Sequence, residues 1–93
     1  MYKLISTTRF KKDLKKVKKN PKDFEIATII LKILAFDGSD GIPKEMKPHK
    51  LRGNYNNNWE CHLKPDLLII WFQIEDDKTI KLIRIGSHSE LFK

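Results

Sequence analysis

The sequence predicts an α+β fold: an N-terminal strand, a two-helix hairpin packed on one sheet face, and an antiparallel sheet ending in a three-strand meander. Three observations predict it. Apolar residues in the first third recur at helical spacing, those after residue 58 fall in strand-length runs, and Gly, Pro, Asn and Asp punctuate the boundaries.

Tyr2 to Ser6, "YKLIS", alternates as a short strand does. In "TTRFKKDLKKVKK", Phe10, Leu14 and Val17 fall on one helical face, and Thr7 or Thr8 is placed to cap that helix. Asn20-Pro21 closes it and opens a second helix over about residues 22–36, because Pro is tolerated in a first helical turn. There Phe24, Ala27, Leu31 and Leu34 form a stripe with Ile26, Ile30 and Ile33 beside it, a width that predicts deep burial against a sheet. "DGSDGIP" stops the helix, and residues 44–58, with "GNYNNN", form a turn-rich loop. Strands follow over about 59–64, 67–75 and 79–85, divided by Pro65-Asp66 and by "EDDK".

At 93 residues the chain is expected to form one domain, residues 1–93, large enough to fold without disulfides or metals. With 40% hydrophobic and 33% charged residues it reads as globular rather than disordered. No apolar run approaches a membrane span and "MYKLISTTRF" lacks a signal-peptide core, so no membrane partner is expected and the cytoplasm is the expected compartment. The lone Cys61, in a strand, reads as a small buried apolar group in a reducing environment. The net charge of +7 is concentrated: residues 1–22 carry nine Lys or Arg against Asp13 alone. Such a segment calls for a polyanionic partner.

Five side chains stand out as chemistry. His49 lies in the loop entering the sheet, His62 in the first meander strand, Asp66 in the turn after it, and His88 just past the last strand. The meander brings the end of the last strand back to the start of the middle one, so His88 is expected at one rim with Asp66. Arg84 shares the side of Ile80 and Leu82 by strict alternation, so it either meets a carboxylate or projects onto a functional face. The histidines form no HxH or HxxxH pair, and His62 to Asp66 spans a strand-to-turn change, so neither a metal site nor a cofactor is expected.

From His49 onward the chain resembles the YafQ branch of the RelE superfamily of bacterial type II toxins. "HKLRG" (49–53), "ECHLKPDLLIIW" (60–71) and "LIRIGSHSELF" (82–92) carry the resemblance, and the preceding strand-helix-helix order fits it. It implies a RelE-like fold and a ribosome-dependent endoribonuclease that cuts mRNA in the A site without metal. Its partners would be the 70S ribosome with its mRNA and an acidic, DinJ-like antitoxin, the toxin being a monomer when free and a hetero-oligomer when neutralised. Carried over by position, the site comprises His49, His62, Asp66, Arg84, His88 and Phe92. Two positions depart from the pattern: Trp59 stands where relatives often carry Arg, and Leu67 where some carry Trp. They keep open a second reading, a catalytically weak or silent relative that binds RNA or ribosomes.

The implied chemistry needs these residue types. In metal-free RNA cleavage a 2′-hydroxyl attacks the adjacent phosphorus, a base takes its proton and an acid protonates the departing 5′-oxygen. Histidine, with an ordinary pKa of about 6.5, serves either role near neutral pH. On this reading His88 is the acid, His62 and Asp66 lie on the base side, and His49 supports the phosphate or the base. Arg84 meets charge on the phosphate, and Phe92 stacks on a base or packs against the histidines. Lys11, Lys12, Lys15, Lys16, Lys18, Lys19 and Arg52 are expected to bind RNA on the ribosome. Deleting residues 91–93 is expected to impair cleavage more than folding.

Overall fold

A computed structural model describes residues 1–92 of the chain. Strand β1 (Lys3–Ser6) leads into helices α1 (Thr8–Val17) and α2 (Pro21–Asp37). The sheet is completed by β2 (His49–Lys50), β3 (Trp59–Lys64), β4 (Leu67–Ile74) and β5 (Thr79–Gly86), and a one-turn helix α3 (His88–Leu91) follows. The spatial order is β1-β5-β4-β3-β2. Every pairing is antiparallel except β1 with β5, which run parallel because the helix hairpin carries the chain across before the meander returns. The expected α+β architecture is therefore present.

Both long helices start on side chains suited to the task. The Thr7 hydroxyl accepts from the Phe10 amide at 3.1 Å and donates to the Leu82 carbonyl at 2.9 Å, capping α1 and fastening it to β5. Asn20 Oδ1 accepts from the Lys22 and Asp23 amides, with Pro21 opening α2. Gly38 ends α2 at φ +66°, and a Cβ there would meet the Tyr2 ring at 2.7 Å, so no larger residue fits without displacing that ring.

The main core lies between the helices and one sheet face. Phe10, Ala27, Ile30 and Leu34 from the helices meet Cys61, Ile69, Trp71 and Ile80 from the strands, all fully buried. Each large side chain buried this way contributes roughly 1.5–3 kcal/mol. The deep burial expected across α2 holds only along its centre. Phe24, Ile26, Leu31 and Ile33 are half-buried and Ile29 and Phe36 exposed, because the helix is apolar nearly all round while the sheet lies on one side. No described helix is long and apolar enough to cross a membrane.

Among the described residues, loop 51–58 and α3 cover the opposite face. Leu68, Ile70 and Leu91 form a small second core there, flanked by Leu51, Tyr55 and Ile83. One irregularity decides what joins that face. Ile70 pairs with Arg84 but Trp71 pairs with Leu82, leaving Ile83 as a bulge. Alternation breaks at that point. Ile80 and Leu82 enter the main core, whereas Arg84, opposite Ile70, falls on the other face, which corrects the side expected from uninterrupted alternation.

Candidate functional site

Two groups of polar side chains flank β4 on the thinly covered face. The first is built on β2 and β3. His49 was expected in a loop, but it belongs to a two-residue strand and pairs with Glu60, while His62 lies two residues beyond Glu60 on the same side of β3. Glu60 is 5% exposed, and its Oε1 lies 3.3 Å from His49 Nε2 and 3.9 Å from His62 Nε2. His49 Nδ1 is 2.8 Å from the Lys47 carbonyl. A carbonyl oxygen only accepts, so Nδ1 donates to it, and Nε2 is the ring atom turned toward Glu60. The buried Glu60 carboxylate lies between the two imidazoles and faces both.

The second group gathers around α3. Asp66 Oδ1 accepts the His88 backbone amide at 3.0 Å, so the two residues meet at the rim as expected, through main chain rather than ring. Ser87 and Glu90 form a capping box: the Ser87 hydroxyl accepts from the Glu90 amide, and Glu90 Oε1 accepts from the Ser87 amide at 2.9 Å. The bonds from the Ser87 amide and hydroxyl hold the Glu90 carboxyl below its ordinary range. The His88 ring lies 4.9 Å from Phe92, whose other neighbour is Tyr55, edge-on at 5.6 Å. Tyr55 donates from its hydroxyl to the Leu91 carbonyl, pinning the short helix to the 53–58 turn. Leu91 is 4% exposed and part of the small core, so a deletion of 91–93 removes packing along with Phe92; Lys93 lies outside the described residues.

Arg84 resolves to the first of its two alternatives. Its Nε and Nη2 donate to Asp13 at 2.7 and 3.2 Å, and Asp13 Oδ2 also accepts the Ile85 amide. The Asp13 bonds push the Arg84 pKa further up. β1 covers β5 only as far as Leu82, so the one acid of the basic helix satisfies the open strand edge beyond it. Arg84 nonetheless borders the cleft between Tyr55 and Phe92. The six lysines of α1 and its C-terminal turn are exposed, with Lys16 3.8 Å from Glu90 and Lys18 over the Phe24 ring; Arg52 is exposed in the loop after β2.

Sequence reasoning missed Glu60, Tyr55 and Asp13. The first had a readable signal, an acid and a histidine two apart on one strand. Tyr55 sits in an aperiodic loop and had none. Trp59 stacks on Trp71 and Leu67 is buried in the main core, so both departures from the family pattern point away from the face carrying Glu60 and His62. Burial drives the Cys61 thiol up to about 12, which leaves it inert. Among the described residues no three His, Cys, Asp or Glu side chains are grouped as metal ligands.

A family model described as bacterial toxin of type II toxin-antitoxin system, YafQ, matches residues 2–93. A metal-bound toxin from Helicobacter pylori is 37% identical, covering 99% of this chain and 100% of its own, with a TM-score of 0.85. A copper-bound mutant toxin from the same organism is 33% identical over 99% of this chain and 100% of its own, with a TM-score of 0.82. The Escherichia coli DinJ-YafQ complex contains a chain of the same fold, 24% identical over 100% of both chains, with a TM-score of 0.84. No curated protein matches.

Proposed function

This chain belongs to the YafQ family of bacterial type II toxins, and from that premise we propose that it is an endoribonuclease cutting mRNA in the ribosomal A site. One observation carries the proposal: two histidine-bearing groups, His49–Glu60–His62 and Asp66–His88–Phe92, flank β4 on the sheet face that the long helices leave open.

In-line transfer at phosphorus needs proton acceptance on one side and donation on the other. His62, with Asp66, takes the proton of the attacking 2′-hydroxyl as the new O–P bond forms. His88 gives its proton to the 5′-oxygen as the old bond breaks, leaving a 2′,3′-cyclic phosphate. Glu60, placed between His49 and His62, orients the His62 ring. Asp66 spends one oxygen on the His88 amide and keeps the other for the base side. Arg84, fixed by Asp13, has Nη1 left to meet the phosphate. The exposed lysines of α1 and Arg52 supply phosphate affinity on the ribosome. An acidic antitoxin would match the basic α1 and neutralise the toxin as a hetero-oligomer, as the E. coli relative occurs in a toxin-antitoxin complex.

No step requires a metal. The test is cleavage of a defined message on programmed ribosomes by purified toxin, by His88→Ala, and by toxin treated with chelator and freed of it by dialysis before it meets the ribosomes. Cleavage by the unaltered protein, with or without chelator, and none by His88→Ala is the expected result. Equal cleavage by His88→Ala overturns the acid assignment. Loss on chelation overturns metal independence, a pointed outcome given the metal-bound relatives.

A further inference from the structure

We propose that the edge of β3 at His62, with the groove beside it, docks an extended acidic segment of the antitoxin. The segment adds as a strand against His62 and seats one apolar side chain among Met46, Leu63 and Pro65. This assignment rests on the endoribonuclease reading and extends it to how the His62 side of the site is closed.

β2 covers β3 at Trp59 and Glu60 only. The Leu51 amide donates to the Asn58 carbonyl at 2.8 Å, so Asn58, Glu60 and His62, spaced two apart, turn their main-chain groups to that same edge. Continued pairing would set Lys47 opposite His62, but Lys47 adopts φ +53° and leaves the strand path. Its amide bonds back to the Lys44 carbonyl, and its own carbonyl accepts from the His49 ring. Among the described residues no main-chain hydrogen bond reaches the His62 amide or carbonyl from this side. An open donor and acceptor on a sheet edge are the elements of strand addition.

The groove determines what that strand carries. It measures about 490 Å³, within the range of binding sites, and Met46, Leu63 and Pro65 give it an apolar wall. Its rim is cationic. Lys44 and Lys47 are exposed and form no ion pair among the described residues, while Lys64 lies 2.7 Å from Asp23. Glu45 is the one acid in the lining. An acidic peptide with one apolar side chain matches the open main chain, the apolar wall and the unpaired lysines together. RNA matches less of it, because among the described residues no Phe, Tyr or Trp lines the groove for a base to stack on. His62 itself lines the groove, so a strand seated there covers the candidate base.

The first arm measures docking without catalysis. The probe is the peptide acetyl-Glu-Asp-Leu-Glu-Asp-amide, titrated into the full-length toxin while backbone amide resonances are followed by NMR. The His62 and Met46 amides are expected to shift. The same peptide N-methylated at every residue keeps its charge but loses its internal amide donors, and is expected to bind at least about tenfold more weakly. Lys47→Glu places a like charge on the rim and is expected to weaken the unmodified peptide about tenfold. The Lys47 side chain is exposed, so its replacement leaves folding intact. An unmoved His62 amide, equal affinity for the N-methylated peptide, or undiminished binding by Lys47→Glu overturns the assignment. A 2′-O-methylated trinucleotide that moves the same amides at lower concentration than the peptide makes the groove an RNA surface and overturns it too. In the second arm, peptide is added to toxin acting on a defined message on programmed ribosomes, and cleavage is expected to fall in step with occupancy. Undiminished cleavage at saturation overturns closure of the His62 side and leaves the enzymatic reading intact. If the toxin alone cuts no message, the enzymatic reading falls, and the binding arm decides the docking surface by itself.

Discussion

The two faces of the sheet are built by different rules. On one, α1 and α2 close a continuous apolar core around Phe10, Leu34 and Trp71. On the other, Leu68, Ile70 and Leu91 make a small core, and the rest of the surface carries Glu60, His62, Arg84 and Phe92. The first face supplies stability and the second is free to carry charge. That division predicts that damage to one face shows as unfolding, and damage to the other as lost cleavage in a folded protein.

The largest separation is expected from His88→Ala. Removing a general acid costs about 10²–10⁴-fold in rate, while the melting temperature stays near that of the unaltered chain because His88 is exposed. Single-turnover cleavage on ribosomes and calorimetry read the two effects. Phe10→Ala is the converse. Its ring is fully buried, and the loss is expected to be about 3–5 kcal/mol by urea denaturation. Equal stability losses at the two positions would erase the distinction.

Asp13→Asn crosses the boundary, since Asp13 belongs to α1 but holds Arg84. Breaking this nearly buried pair is expected to cost about 3 kcal/mol and to lower cleavage too. Neutralising Lys11, Lys12, Lys15 and Lys16 together is expected to weaken ribosome binding and flatten its salt dependence without moving the cut sites. Unchanged affinity would remove α1 from the docking surface.

The smallest effect concerns α3. The folded pKa of Glu90 lies below its unfolded value of 4.5, so its contribution is fully present above that value and lost as pH falls through the lower, folded one. Amide exchange along 88–91 is expected to quicken over that acid range, and Glu90→Gln to remove the dependence.

Legibility followed periodicity. The helix starts at Thr7 and Asn20, the meander and the meeting of Asp66 with His88 could be read because caps, alternation and strand direction are local rules. β2 is two residues long, too short to show a period. α3 was missed although "SHSE" carries a capping-box pattern, because one turn has no apolar stripe. Asp13 looked like a solvated helix residue, and only the unpaired edge of β5 explains its burial. The face of Arg84 depended on a bulge that no alternation rule foresees.

The central claim is that the open face cuts mRNA during translation. Its most direct test is transcript-wide mapping of new 5′ ends in cells after brief induction of the toxin, with His88→Ala and a message lacking a start codon as controls. The account predicts new ends at a fixed position within codons, on translated messages alone, and none with His88→Ala. New ends identical in the variant, ends on untranslated RNA at the same frequency, or no new ends at all would contradict it.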